Sequence, residues 1–137
     1  MSGERARRFA RKGNEVMPNR ILRESILESR PVNSLSWPAE VFYRRLMSKV
    51  DDFGRFYADV GILRGALYAR QLDKVREADV ASWLQETVTA GLVRLFAANG
   101  EPYLVFLKLG EPRAKTSKFP EPPSELRRAH LLARANI

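Results

Sequence analysis

Apolar residues recur at helical spacing in three stretches of the chain, which are separated by residues that favour turns. These stretches predict helices over about Trp37 to Val50, Val60 to Ala69 and Glu77 to Ala90. Ser36 and Asp59 precede the first two, where their side-chain oxygens can accept hydrogen bonds from free backbone N–H groups. The predicted apolar stripes are Phe42, Tyr43, Leu46, Met47 and Val50; Ile62, Leu63, Ala66 and Leu67; and Val80, Trp83, Leu84, Thr87 and Val88.

Turn-forming residues and β-prone runs occupy the stretches around these helices. Residues 51–55, Asp-Asp-Phe-Gly-Arg, predict a turn, because glycine tolerates a positive φ and aspartate bonds nearby backbone N–H groups. Residues 56–58 predict a short strand. Two further strands, 92–97 and 103–107, flank Asn99-Gly100, the strongest short hairpin signal. The order helix, strand, helix, helix, hairpin predicts an α+β fold of the winged helix-turn-helix type, with the hairpin as the wing.

Charge is distributed unevenly along the 137 residues, whose formal net charge is +8. The segments 1–30, 31–110 and 111–137 carry +4, +1 and +3. We therefore predict a basic arm over residues 1–20, a winged-helix domain over 21–110, and a basic, proline-rich tail with a short helix over 111–137. Basic ends on a nearly neutral domain favour a polyanionic partner, usually nucleic acid.

Several classes of function are excluded or disfavoured by composition. The chain has no cysteine, which excludes disulfides, zinc ribbons and thiol catalysis. It has one histidine, His130, and the adjacent Asp51 and Asp52 do not supply a metal-ligand shell. No phosphate-binding glycine motif or nucleophile–base pair stands out, and no apolar run approaches the roughly 20 residues of a membrane span. We expect a non-catalytic intracellular protein with no cofactor, metal or membrane association.

The third predicted helix would enter the major groove in a winged helix. Ser82 and Gln85 on its outer face are candidates for contact with bases, but Asp79 and Glu86 share that face, although Glu86 could accept from cytosine. Phosphate contacts are therefore assigned to the hairpin and both ends. The predicted phosphate-binding residues are Arg94, Lys108, Arg113, Lys115 and Lys118, with Arg5, Arg7, Arg8, Arg11 and Lys12 of the arm.

Five segments, in order, resemble the N-terminal winged-helix domain of phage replisome-organiser and replication-initiator proteins. They are MPNRILRESI at 17–26, SWPAEVFYRRL at 36–46, DDFGR at 51–55, GLV at 91–93 and RAKTSKFP at 113–120. The resemblance implies a phage origin, a location in the cytoplasm of the bacterial host cell, a winged-helix fold and double-stranded DNA binding in replication initiation without catalysis. Residues 1–16 precede Met17, where members of this family usually start. We expect that these residues are either an extra basic arm or the result of a mis-assigned start codon.

Other functions fit the same residues. The acidic third helix also suits an adaptor or inhibitor that binds a host protein or nucleoprotein complex, for example a replication protein or a defence nuclease. A transcriptional regulator fits the fold equally well, since fold does not decide function. A homodimer would suit a palindromic DNA site, although no heptad or self-complementary patch in the sequence indicates one.

Overall fold

The computed structural model describes residues 24–107 and 116–123, which form an α+β fold. Helices and strands follow one another in the order predicted from the first long helix onward. Their bounds are α1 Arg30–Asn33, α2 Trp37–Met47, β1 Arg55–Tyr57, α3 Val60–Leu67, α4 Glu77–Thr89, β2 Val93–Ala98 and β3 Glu101–Phe106. A 3₁₀ turn, Glu24–Glu28, precedes α1, a short helix that no periodicity in the sequence predicts.

Side-chain caps begin the helices at the predicted residues. Ser36 Oγ accepts a hydrogen bond from the Ala39 N–H at 3.4 Å, and Asp59 Oδ1 accepts one from the Ile62 N–H at 3.0 Å. The helix ends are less well predicted: α2 stops at Met47 and α3 at Leu67, three and two residues before the expected ends. These differences fall in the last turn, where terminal carbonyls lack partners within the helix and assignments vary.

Positive φ angles occur at the turns where the sequence predicts them. Gly54 has φ +75° in the loop before β1, where Asp51 Oδ1 accepts hydrogen bonds from the N–H groups of Phe53 and Arg55 at 2.9 and 3.0 Å. Asn99 and Gly100 have φ of +55° and +78° between β2 and β3. Two positive φ angles are the mark of a type I′ turn, whose twist matches that of the strands. The predicted hairpin is confirmed.

The sheet has β3 at its centre, in the order β1-β3-β2, with both pairings antiparallel. Leu104 of β3 lies directly opposite both Phe56 of β1 and Leu95 of β2, so one row of side chains crosses the face that meets the helices. The core of this face includes Phe42, Leu46, Leu63, Val80, Val93, Leu104 and Phe106. Ile62, predicted to belong to the stripe of α3, is exposed instead.

Aromatic rings cross the outer face of the sheet. Tyr103 of the central strand lies directly opposite Tyr57 of β1 and Phe96 of β2. Its ring centroid is 5.9 Å from that of Tyr57 and 5.7 Å from that of Phe96. Phe119 packs edge-on against Tyr57 at 5.1 Å and is buried. The Nη1 of Arg55 donates a hydrogen bond to the Phe119 carbonyl at 3.3 Å. Phe119 thus belongs to the folded core, although it lies in the stretch predicted as a tail.

Arg45 has a structural role that its position opposite the apolar stripe of α2 does not predict. Its Nη1 donates to the carbonyl of Leu67 at 2.7 Å, and its guanidinium lies 4.7 Å from the ring centre of Tyr68. The side chain therefore holds the end of α3 against α2. Burial raises the pKa of the Tyr68 phenol, and the charge of Arg45 acts in the opposite direction.

Candidate nucleic-acid interface

Beyond Glu77, an exposed acidic residue in its first turn, the outward face of α4 consists of small and neutral polar side chains. Ala78, Ala81, Ser82, Gln85 and Thr89 are all exposed there. The amide of Gln85 donates a hydrogen bond to Thr89 Oγ1 at 3.2 Å. On the opposite side, Val80, Leu84 and Thr87 are buried, while the predicted stripe residues Trp83 and Val88 are only half-buried. Both candidate base contacts, Ser82 and Gln85, therefore lie on the same accessible surface.

The two carboxylates assigned to this face are engaged within the protein. Asp79 Oδ2 accepts a hydrogen bond from the Arg76 N–H at 3.0 Å, at the start of α4. This contact compensates for an arginine at the N-cap, because a guanidinium cannot accept a hydrogen bond. Glu86 accepts from both the N–H and the hydroxyl of Ser36, at 2.9 and 2.8 Å. Glu86 therefore holds α2, and its expected pairing with cytosine would require breaking these bonds.

A group of exposed cations precedes α4, and none of them is among the residues predicted from the sequence to bind phosphate. Arg70, Lys74 and Arg76 are exposed in the turn between α3 and α4, along with the acidic Asp73. Arg64 holds this turn: its Nε and Nη2 donate to the carbonyls of Val75 and Leu72, at 2.6 and 2.5 Å. The sequence does carry a signal for this group, because three cations lie within the seven residues before the predicted recognition helix.

The predicted phosphate-binding residues that the structure describes lie on a different surface from α4. Arg94 is half-buried on β2, directly opposite Val105 on the outer face of the sheet. Lys118 is exposed beside that face, with its Nζ 5.1 Å from the ring centre of Phe119. The structure therefore does not place these cations beside Ser82 and Gln85 on α4. The remaining eight predicted contacts lie outside the described residues: Lys108, Arg113, Lys115, Arg5, Arg7, Arg8, Arg11 and Lys12.

The described ranges contain neither a cluster of metal-ligating side chains nor a helix that could span a membrane. Within residues 24–107 and 116–123, no three His, Cys, Asp or Glu side chains come close enough together to hold a metal ion. Asp51, one of the two adjacent aspartates, acts as a loop cap, as predicted. No helix in these ranges has the length and apolar character needed to cross a bilayer.

Comparison with known proteins gives no family assignment. No family model, no curated protein and no solved structure matches this chain.

Proposed function

We propose that this chain is a winged-helix protein that binds double-stranded DNA and acts, without catalysis, in the initiation of phage DNA replication. The order α2-β1-α3-α4-β2-β3 and the sheet order β1-β3-β2 support this fold, with α3 and α4 as the helix-turn-helix and the β2-β3 hairpin as the wing. The replication role follows the resemblance of residues 17–120 to phage initiator domains.

The observation that carries DNA binding is the outward face of α4, which beyond Glu77 in the first turn presents neutral side chains. A carboxylate facing the groove would be repelled by phosphates. Asp79 and Glu86 keep their negative charge, but hydrogen bonds hold the two carboxylates against the backbone N–H of Arg76 and against Ser36. Gln85, Ser82 and Thr89 then offer the donors and acceptors that read base edges, and a glutamine amide can pair with adenine in two places. A helix with this face can enter the major groove.

Cations in the turn before α4 support the same orientation. Arg70, Lys74 and Arg76 are exposed where the backbone of DNA runs past a recognition helix, and Arg64 fixes the path of the turn. Residues 24–107 hold ten Lys+Arg against eleven Asp+Glu, so the excess positive charge of the chain belongs to segments outside this range. We therefore assign positioning to the turn and most of the electrostatic affinity to the ends.

Fluorescence anisotropy with duplex DNA at several salt concentrations tests this proposal. Arg70→Ala, Lys74→Ala and Arg76→Ala should each weaken binding to all sequences and reduce the log–log salt slope by about 1. Gln85→Ala should instead reduce discrimination between sequences by roughly 1–3 kcal/mol per lost base contact. Arg30→Ala removes an equal charge from α1 and serves as the matched control. Unchanged anisotropy at low salt, with folded protein at micromolar concentration, would exclude the proposal.

One observation favours a second candidate, an adaptor or inhibitor of a host protein or nucleoprotein complex. The acidic and basic residues of 24–107 nearly balance, which gives this part of the chain little general attraction for DNA. A pull-down from host lysate that survives nuclease treatment, combined with absent duplex binding, would support the adaptor. Selection of one specific site from the phage genome, outside any replication origin, would instead support a transcriptional regulator.

A further inference from the structure

Trp37, in the first turn of α2, is 86% exposed, and Val41, one turn further along, is 46% exposed. The backbone at this point is held in place, because Glu86 accepts two hydrogen bonds from the adjacent Ser36. A tryptophan on a fixed helix end offers a large contact area at small entropic cost, and tryptophan is enriched among residues that dominate protein interfaces.

The same face of α2 carries a cation that is already ordered. Arg44 lies two turns after Trp37, so the helical repeat brings both onto one face together with Val41. The Nε and Nη2 of Arg44 lie 3.1 and 3.0 Å from Glu40 Oε2. This ion pair limits the rotation of the guanidinium. The face thus has an aromatic group at one end and an ordered planar cation at the other.

We propose that this face, formed by Trp37, Glu40, Val41 and Arg44 and here named the α2 patch, is a homodimer interface. The two α2 helices pack antiparallel around a two-fold axis near Val41. This arrangement reverses one patch relative to the other, so that Trp37 of each protomer meets Arg44 of its partner. A guanidinium over an indole face is a favourable cation–π contact, and the symmetry forms it twice.

Parallel pairing is disfavoured by the same chemistry. It would place Arg44 against Arg44, and like charges in contact repel. The antiparallel arrangement avoids this and brings the two Val41 side chains together near the axis. Because the interface uses one face of a single helix, its area lies at the small end of the known range, and we expect weak, reversible association. The proposal is independent of DNA binding.

Sedimentation equilibrium of the full chain, from about ten micromolar to about one millimolar, tests the proposal. We expect a monomer–dimer equilibrium that Trp37→Ala weakens by roughly tenfold or more, since two cation–π contacts are lost. Tryptophan emission should shift to the blue with wild-type concentration as Trp37 becomes buried. Trp37→Ala, which retains Trp83, should show no such shift. Lys49→Ala, which removes an exposed cation just after α2, is the matched control and should leave dimerisation unchanged.

The double variant E40R/R44E tests the orientation. It keeps an ion pair at i,i+4 and should leave the helix content nearly unchanged, as measured by circular dichroism. In the antiparallel dimer it places a carboxylate against each indole, so we expect association to weaken roughly tenfold. A monomeric mass throughout the concentration range would overturn the proposal. So would assembly beyond a dimer, or a dimer equally stable in E40R/R44E.

Discussion

Glu86 of α4 accepts two hydrogen bonds from Ser36, the residue that caps α2, although the two residues are 50 positions apart in the chain. One carboxylate oxygen receives the Ser36 N–H and the other its hydroxyl. The negative charge also lies at the positive end of the α2 dipole. This contact joins the proposed recognition helix to the helix that carries the α2 patch.

Removing this carboxylate should destabilise the fold. Hydrogen bonds to a charged group contribute about 1.5–3 kcal/mol, so we expect Glu86→Ala to lower the free energy of unfolding by about that amount. Gln85→Ala, at the neighbouring exposed position, should change it by less than about 0.5 kcal/mol. Urea denaturation followed by circular dichroism measures both. In a double-mutant cycle, additive effects of Glu86→Ala and Ser36→Ala would contradict the coupling.

Two glycines should respond to alanine in opposite directions. Gly100 has φ +78° in the hairpin turn, and an alanine there is strained, so Gly100→Ala should destabilise by about 1–2 kcal/mol. Gly65 lies inside α3, and a Cβ there would meet nothing within 4 Å. Gly65→Ala should therefore stabilise by about 0.5–1 kcal/mol through helix propensity. Thermal unfolding measures the stability of both variants. A loss of stability in Gly65→Ala would contradict this prediction and show that α3 requires glycine at this position.

Phe119 should contribute to stability as a core residue does. Its buried ring packs edge-on against Tyr57 and Phe56, at 5.1 and 5.8 Å. We expect Phe119→Ala to lower the free energy of unfolding by about 3–5 kcal/mol, the range for buried aromatic side chains. The exposed neighbour offers a control, because Lys118→Ala should cost less than about 1 kcal/mol. Equal, small effects of both substitutions would mean that residues 116–123 do not support the sheet.

Tyr43 should make stability depend on pH in the alkaline range. Burial raises the pKa of its phenol from 10 to about 12, and its ring stacks on Phe106 with centroids 5.1 Å apart. The Tyr43 phenol therefore begins to ionise at about pH 10 in the unfolded state but stays protonated at that pH in the folded state. The contribution of this difference to the free energy of unfolding is fully present below pH 10 and is lost as pH rises through 12. The total loss is roughly 2–3 kcal/mol.

Tyr43→Phe provides the comparison for this effect. The variant lacks the phenol, so its free energy of unfolding should fall less steeply than that of the wild type between pH 10 and 12. Urea denaturation at pH 8, 10 and 11.5 measures the difference between the two proteins. Parallel curves over this range would show that Tyr43 ionises equally readily in the folded and unfolded states.

The sequence by itself determined the local features of this protein. The caps Ser36 and Asp59, the turn at Gly54 and the Asn99-Gly100 hairpin are all found where they were predicted. Each depends on interactions within a few residues, so the identity of those residues suffices to specify the conformation. The order of the elements from α2 to β3 followed from the same local signals.

Only the tertiary structure decided which side chains remain available for function. From the sequence, Asp79 and Glu86 predict two free carboxylates on the outer face of α4, whereas in the structure hydrogen bonds hold both against Arg76 and Ser36. Arg45, which lies opposite the apolar stripe of α2, binds the carbonyl of Leu67. Phe119 packs in the core, although it lies beyond the predicted domain. Contacts such as that between residues 36 and 86 join positions far apart in sequence, and periodicity carries no information about them.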